Sequence, residues 1–315
     1  MSRVVVQSPA FYCTGIDMFG PIQIRLNRKT LKEAQAVIFV CITTRAVHLE
    51  LVTDRSTDTF LMAFRRFACT RGHPALCFSD CGTNFKGAEP YISEVTKNWD
   101  KKKIKKELAE EFSCNFEGEW NVLKASHMNG VTESLIKSVR QALDATCRNP
   151  IYSEEQWRTI LTEISYTVNS RPLYPSSDAI WENPPITPND LLIGPHVGVP
   201  VPIQEDKVNP RHLHKSTQQR IHHFWTAWMK YFAPTLLRRD KWYRPRDNLK
   251  SGDLVLEVDS CPRRKWKMAL VEEVFPGKDG KVRKAKIKTQ TSSFERPIHK
   301  LCLIATKEEL SSNVK

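Results

Sequence analysis

TGIDMFGP, residues 14–21, is an apolar run that carries one carboxylate, Asp17, and ends at a Gly-Pro turn. Apolar and aromatic residues favour a strand here, and glycine followed by proline favours a turn. The segment therefore predicts a β-strand that delivers Asp17 close to its end. In α/β sheets, active sites gather at such strand ends, so Asp17 is a candidate functional residue.

Two further acidic residues stand in similar contexts. Asp80 ends the apolar run ALCFSD, residues 75–80, and Glu133 opens a helix in HMNGVTESLIK, residues 127–137. Two strand-end carboxylates and one helical carboxylate can converge on two Mg²⁺ ions about 4 Å apart, which activate a nucleophile and stabilise a leaving oxygen. We predict that Asp17, Asp80 and Glu133 are catalytic metal ligands; the alternative is that they are three ordinary surface acids.

Two cations follow Glu133 on the same predicted helix. Lys137 is four residues later and Arg140 seven, so all three share one helical face. A solvated face with an i,i+4 ion pair would give the same pattern. Beside a metal-binding Glu133, we interpret Lys137 and Arg140 as DNA phosphate ligands.

The order Asp, Asp, Glu with these flanks resembles the catalytic core of retroelement integrases, most closely those of the BEL/Pao retrotransposons. The matching segments are GIDMFGP (15–21), TTRAVHLE (43–50), SDCGTNF (79–85), NSRPL (169–173), LLIG (191–194), WYRP (242–245), GDLV (252–255) and RPIHKL (296–301). They cover nearly the whole chain in the family's order. The interval from Asp80 to Glu133 is longer than in retroviral integrases, and the excess falls in the Lys-rich residues 98–111.

The resemblance implies a D,D,E polynucleotidyl transferase with two Mg²⁺ ions, for which Mn²⁺ can substitute. Water would attack a phosphodiester near the 3′ end of element DNA, and the freed 3′-hydroxyl would attack target DNA. The implied partners are double-stranded DNA and further copies of the chain. The implied location is the nucleus, after synthesis in the cytoplasm.

The sequence departs from the family pattern near two of the acids. Cys81 stands where the family usually carries Asn, and Asn129 and Thr132 replace Gly and Trp ahead of Glu133. The prolines that usually precede this segment are also missing, and proline limits loop freedom. The alternative function is therefore a catalytically impaired, element-derived DNA-binding protein. A ribonuclease H reading shares the carboxylates but does not explain the basic C-terminal part.

Periodicity alone predicts an α/β core. We expect strands at residues 11–19, 22–26, 36–40, 76–78 and 114–120, the third continuing to residues 50–52. We expect helices at residues 57–68, 98–112 and 131–147, and another that starts at the Ser153 capping box. The resemblance makes this core a ribonuclease H-like fold, with a mixed five-stranded sheet and flanking helices, followed by a helical linker and a small SH3-like β-barrel.

The resemblance and the composition divide the chain into a catalytic core (1–200), a basic helical linker (201–250), the barrel (251–305) and a tail (306–315). The linker contains an aromatic helix around residues 221–232, whose rings we expect to pack in a core. In the barrel we expect four or five short strands, in the β-like runs at residues 253–258, 266–274, 281–289 and 296–303.

Positive charge is concentrated in the last third. Residues 1–204 carry 23 Lys/Arg against 22 Asp/Glu, whereas residues 205–315 carry 25 against 13. Alternation places cations on one face of the predicted barrel, which favours DNA contact over mere solubility. The predicted DNA ligands there are Arg263, Arg264, Lys265, Lys267, Lys284, Lys286 and Lys288.

The composition limits the cellular environments in which we expect the chain to work. No run approaches the roughly 20 apolar residues of a membrane span, and the start of the chain lacks the pattern of a signal peptide. Nine cysteines without CxxC pairs suit a reducing compartment. We therefore expect no membrane partner.

Overall fold

The structure is a computed structural model that describes residues 8–27, 29–54, 56–79, 99–116, 130–147, 152–173, 185–194, 213–236, 248–257 and 266–312. Five strands form the first sheet: β1 (Cys13–Arg25), β2 (Leu31–Cys41), β3 (Val47–Val52), β4 (Leu76–Ser79) and β5 (Asn115–Phe116). Their order is β3-β2-β1-β4-β5, and a two-residue β6 (Tyr152–Ser153) pairs with the C-terminal end of β1. β1 to β3 are antiparallel, whereas β4 runs parallel to β1 and β5 to β4. This is the predicted ribonuclease H-like mixed sheet.

Helices lie against both faces of this sheet. They are α1 (Thr57–Arg71), α2 (Lys101–Phe112), α3 (Gly130–Cys147), α4 (Glu154–Asn169), the short α5 (Pro188–Ile193) and α6 (Leu213–Leu236). Consecutive residues of β2 alternate between two buried clusters: Ile38 packs with α3, α4 and α6, and Phe39 packs with α1 and α2. A strand buried on both faces requires a continuous apolar run, which explains residues 36–42.

Local capping interactions determine both ends of α1 and the start of α4. Ser56 caps α1 by accepting a hydrogen bond from the Thr59 amide, and Gly72 ends it at φ 97°. Ser153 and Gln156 form the predicted capping box of α4. Along α1, Phe60, Phe64 and other residues at helical spacing are fully buried, as the amphipathic pattern predicts.

Two strand predictions are wrong in detail. The strands expected at residues 11–19 and 22–26 are one strand, β1, which continues through Gly20–Pro21 with a register shift between Phe19 and Ile22. The strand expected to run from residue 36 to 52 is two strands, because the chain turns between Cys41 and Val47. The strand expected at residues 114–120 is tested only in part: Asn115–Phe116 form β5, and residues 117–120 lie outside the described part.

The NSRPL segment locks the turn between β2 and β3. Asn169, fully buried at the end of α4, accepts a hydrogen bond from the Val47 amide (2.7 Å) and donates one to the Val47 carbonyl (2.8 Å). Arg171 donates to the Arg45 carbonyl, where Arg45 adopts φ 59°. Burial lowers the pKa of Arg171 to about 9. Asn169 satisfies backbone groups of Val47 on the outer edge of β3, which pairs there with no other described strand, and Arg171 satisfies a carbonyl of the turn before β3.

Asn169→Ala is expected to lower the free energy of unfolding by about 2–4 kcal/mol, since each buried backbone group left without a partner costs roughly 1–3 kcal/mol. Urea unfolding of the purified chain measures this loss. Thr162→Ala, an exposed change on the same helix, is the control and should stay within about 0.5 kcal/mol of wild type. An equal loss in both variants would contradict the assigned role of Asn169.

The TTRAVHLE segment also contributes a polar network. His48 Nε2 lies 3.1 Å from Glu50 Oε1, Arg66 donates to Glu50 Oε2 (2.8 Å), and Arg71 donates to His48 Nδ1 (3.3 Å). Burial lowers the pKa of His48. For Glu50, burial alone would raise the pKa, but the hydrogen bonds from His48 and Arg66 outweigh it and lower the pKa. The network joins β3 to α1.

The aromatic residues of α6 are buried, as expected. Trp225 and Trp228 pack in the same cluster as α3 and α4, with Phe232 stacked on Trp228 at 4.5 Å. Trp266 packs edge-on against Trp225 (5.3 Å) and Trp228 (5.8 Å). The indole nitrogens of Trp228 and Trp266 have no hydrogen-bond partner among the described residues. Trp266, which directly precedes the strand Lys267–Pro276 of the second sheet, is therefore packed against α6.

The second sheet is antiparallel, in the order β10-β9-β8-β7-β11. Its strands are β7 (Leu254–Glu257), β8 (Lys267–Pro276), β9 (Val282–Lys288), β10 (Ser293–Pro297) and β11 (Leu301–Ala305), and a final helix α7 (Lys307–Ser312) follows. The single strand expected at residues 296–303 is wrong: a 3₁₀ turn, Ile298–Lys300, separates β10 from β11. The turn lets β11 return to pair with β7, as in an SH3-like barrel. Among the described helices, none has the length and apolarity to cross a membrane.

Candidate metal and nucleic-acid site

Asp17 lies in the central strand of the first sheet. It pairs with Ile38 of β2, and its neighbour Ile16 pairs with Ser79, the last residue of β4. Because Ile16 and Met18 face the α1 and α2 side, Asp17 faces the side covered by α3. Its side chain keeps 19% exposure between almost fully buried neighbours. The strand thus places a carboxylate at a partly open position on the α3 face.

Both oxygens of this carboxylate are engaged. The Met18 amide donates to Oδ1 at 2.8 Å, and Arg140 Nη1 donates to Oδ2 at 3.0 Å. The Arg140 side chain is 12% exposed, so water screens the pair only in part. The sequence predicts Arg140 as a phosphate ligand; its contact with Asp17 was not predicted. The spacing from Glu133 shows only which helical face carries Arg140, not what lies opposite it.

α3 carries the predicted cluster of one acid and two cations. Leu135, Val139 and Leu143 bury one side of the helix in the core, and Lys137 is exposed. Glu133 lies in the first turn, seven residues before Arg140, but its side chain is outside the described part. The structure therefore brings Arg140 to Asp17 and positions the backbone of Glu133 on the same helix.

Asp80 lies outside the described residues, which end at Ser79 on this side. Cys81 and Asn129 also lie outside, as does the side chain of Thr132. The described residues contain no group of three or more His, Cys, Asp or Glu side chains that could hold a metal ion. The predicted three-carboxylate site thus stays a prediction.

The one described ligand fits a hard cation. A carboxylate provides the oxygen donors that Mg²⁺ prefers. The guanidinium of Arg140 already lies against Oδ2 of Asp17, so an incoming cation would have to compete with it. The donor type at Asp17 is therefore compatible with Mg²⁺, whereas its charge is already balanced by Arg140.

The predicted basic face of the second sheet has a mixed charge. Lys284, Lys286 and Lys288 alternate with buried Ala285 and Ile287, so they share one face. Lys284 forms an ion pair with Glu295 of β10, and Lys286 lies 3.4 Å from Glu272 of β8. Lys267 lies 3.9 Å from buried Glu257, which also accepts from Arg296. Alternation predicted the face but not the acids on the neighbouring strands.

Most of the excess positive charge lies outside this sheet. The described residues 248–257 and 266–312 carry 11 Lys/Arg against eight Asp/Glu. Residues 205–247 carry ten against four, and residues 258–265, with Arg263, Arg264 and Lys265, carry three against one. Those three cations lie outside the described residues. Charge is therefore densest in the segments around the sheet.

Comparison with known proteins gives two kinds of match. Residues 212–304, which include α6 and most of the second sheet, match a family of unknown function, DUF5641. No curated protein matches the chain significantly.

Among solved structures, the chain is similar to one from the cryo-EM structure of the simian T-cell lymphotropic virus intasome in complex with PP2A regulatory subunit B56 gamma. The TM-score is 0.34 at 10% identity, over 94% of this chain and 79% of that chain. It is also similar to the HTLV-2 integrase catalytic core domain in complex with magnesium. The dimeric form gives a TM-score of 0.29 at 10% identity, over 51% of this chain and 88% of that chain. The trimeric form gives 0.29 at 11%, over 55% and 96%. These solved structures come from retroviral integrase systems, and the low scores do not determine what this chain does.

Proposed function

We propose that the chain is a metal-dependent polynucleotidyl transferase of the retroelement integrase type, of the BEL/Pao kind, which processes element DNA 3′ ends and joins them to target DNA. The observation that carries the proposal is Asp17 itself. It is a partly buried carboxylate in the central strand, on the face covered by the helix that bears Glu133. It also lies beside the end of β4, which Asp80 follows in the sequence.

Under this proposal, Asp17, Asp80 and Glu133 would hold the two Mg²⁺ ions. When bound, such ions lower the pKa of a nucleophilic water and stabilise the leaving oxygen. The protein's own contribution is positioning, since the transfer needs no covalent protein intermediate. The Met18 amide orients Asp17 through Oδ1, and the burial of Leu135 and Val139 fixes α3 against the sheet.

The DNA would be held by cations on two surfaces. Arg140 contacts Asp17, and Lys137 precedes it by three residues on α3. Lys267, Lys284, Lys286 and Lys288 lie on the second sheet. Such contacts to phosphates carry affinity without sequence information. Action on two DNA ends in the nucleus by several copies of the chain belongs to the same proposal.

A strand-transfer assay tests the proposed activity. The full chain is incubated with blunt oligonucleotide duplexes carrying element ends and with plasmid target DNA, in Mg²⁺, in Mn²⁺ and in EDTA. We expect metal-dependent 3′ nicking and joined products. A chain that binds DNA but is inert with both metals would instead support the alternative, an impaired DNA-binding derivative. Joining that persists in EDTA would contradict a metal-dependent site.

The salt dependence of DNA binding separates the two groups of C-terminal cations. Replacing Arg263, Arg264 and Lys265 with glutamine is expected to reduce the log–log salt slope by up to about 2.7, since each phosphate contact contributes roughly 0.9. Replacing Lys284 and Lys286 is expected to reduce it by less, because Glu295 and Glu272 already neutralise them. Fluorescence anisotropy across a salt series measures both slopes. An unchanged slope in the first variant would show that residues 263–265 do not contact phosphates.

A further inference from the structure

The ion pair between Arg140 and Asp17 connects two residues to which the proposed function gives separate tasks. Asp17 would bind metal and Arg140 would bind DNA. In the structure, Arg140 Nη1 lies 3.0 Å from Asp17 Oδ2, and the side chains are 12% and 19% exposed. The contact is therefore a partly desolvated, charge-assisted hydrogen bond, which is stronger than a surface ion pair.

Arg140 and an incoming divalent ion would compete at Asp17, because both are cations attracted to one partly desolvated carboxylate and they repel each other at that distance. The competition is strongest at Oδ2, the oxygen that accepts the hydrogen bond from Arg140. Arg140 can therefore yield Oδ2 to a metal ion only by moving its guanidinium away from Asp17.

A new position for that charge is available on the same helix face. Arg140 is three residues after Lys137 and seven after Glu133, so the three positions line one side of α3. A guanidinium that swings away from Asp17 remains beside Lys137, where the proposed function places DNA phosphates. Planar guanidinium groups bind phosphate oxygens through two parallel donors.

We propose that Arg140 is the resident counter-cation of Asp17, which a divalent ion displaces so that the guanidinium becomes a DNA phosphate ligand. This inference rests on the proposed function, because it takes Asp17 to be a metal ligand. It makes metal and DNA binding mutually favourable through one side chain. Such coupling is reciprocal: the factor by which metal tightens DNA binding equals the factor by which DNA tightens metal binding.

Calorimetric titration of the metal-free full chain with Mg²⁺ alone, and in parallel with Mn²⁺, tests the displacement step without any DNA or activity. Arg140→Gln removes the competing charge and is expected to tighten metal binding about tenfold, the usual scale for one hydrogen bond to a charged group. Arg140→Lys keeps a cation beside Asp17, so its metal affinity is expected to stay within about threefold of the wild-type value. Arg158→Gln is the matched control, because it removes an arginine from an ion pair with Glu154 (2.8 Å) on α4. It should leave metal affinity unchanged.

Anisotropy with a short DNA duplex, with and without Mg²⁺, tests the transfer of Arg140 to phosphate. Wild type should gain DNA affinity when Mg²⁺ is added, and Arg140→Gln should gain less. Gel analysis confirms that the duplex stays intact during the measurement. An equal gain in the two proteins would overturn the transfer step.

The outcomes distinguish this inference from the proposed function. If wild type shows no divalent-ion binding, or if Asp17→Asn does not abolish that binding, the proposed metal site is wrong and the inference is wrong with it. If Asp17→Asn abolishes binding while Arg140→Gln leaves the affinity unchanged or weaker, the proposed function stands and the counter-cation role is overturned. Circular dichroism of each variant checks the fold, and Arg140→Lys supplies a folded reference if Arg140→Gln unfolds.

Discussion

Asp17→Asn is expected to abolish DNA cleavage and joining while the protein stays folded and still binds DNA. Asparagine preserves the shape of the side chain and can still accept the Met18 amide, but it removes the anionic oxygen on the α3 side. Loss of a residue outside the ligand shell typically costs roughly 10–100-fold in metal affinity or activity, so loss of a direct ligand should cost more. The measurement is the strand-transfer assay in Mg²⁺, with anisotropy for DNA affinity.

The control is Asp58→Asn, which removes another ion-paired carboxylate. Asp58 lies on the surface of α1, where its 71% exposed side chain accepts a hydrogen bond from Lys103. It should retain full activity. Asp17→Asn also leaves Arg140 without its anionic partner, so thermal unfolding must show that the variant is folded at the assay temperature. Mg²⁺-dependent joining by a folded Asp17→Asn protein would remove Asp17 from the site. Glu133→Gln is expected to behave like Asp17→Asn.

Trp228→Ala is expected to lower the free energy of unfolding by about 3–5 kcal/mol, the usual cost of truncating a buried tryptophan. Trp228 is fully buried, stacks on Phe232 and meets Trp266 edge-on at 5.8 Å. Its truncation is expected to open a cavity between α6 and Trp266, the residue that precedes β8. Chemical denaturation followed by tryptophan fluorescence and by far-UV circular dichroism measures the loss.

Trp228→Phe is the matched variant for this cluster. It retains an aromatic ring and removes an indole nitrogen that has no partner in the part of the chain that the structure describes. Because an unsatisfied buried donor costs roughly 1–3 kcal/mol, its removal offsets part of the lost packing, and the net loss should be well below that of alanine. A loss below about 1 kcal/mol for Trp228→Ala would contradict a tightly packed cluster.

Much of the first sheet could be predicted because its strands are buried on two faces. A strand in that position needs an unbroken apolar run, and the chain shows one around Ile38. The same runs placed Asp17 on a strand and Asp80 directly after one. The start of α4 followed from Ser153, whose capping box consists of local hydrogen bonds. Such features depend on residues within four positions of one another.

The errors concern interactions between distant segments. Gly20–Pro21 is typical of a turn, but pairing with β2 keeps β1 extended on both sides of it. Alternation placed Lys284 and Lys286 on one face, whereas their acidic partners come from strands whose register the sequence does not reveal. The partner of Arg140 lies 123 positions away. Each of these features depends on contacts between segments that are distant in the sequence, and local sequence patterns carry little information about such contacts.

The packing of α6 bears on how the polypeptide would tolerate a break. Six of its apolar residues, from Ile221 to Phe232, share one core with α3 and α4. A backbone nick between Ile193 and Leu213 would therefore leave two fragments with complementary apolar surfaces. Each fragment alone would expose its apolar surface to water, so we expect the two to stay associated non-covalently, and to aggregate when they are separated. Complementation between two co-expressed halves is thus built into this fold.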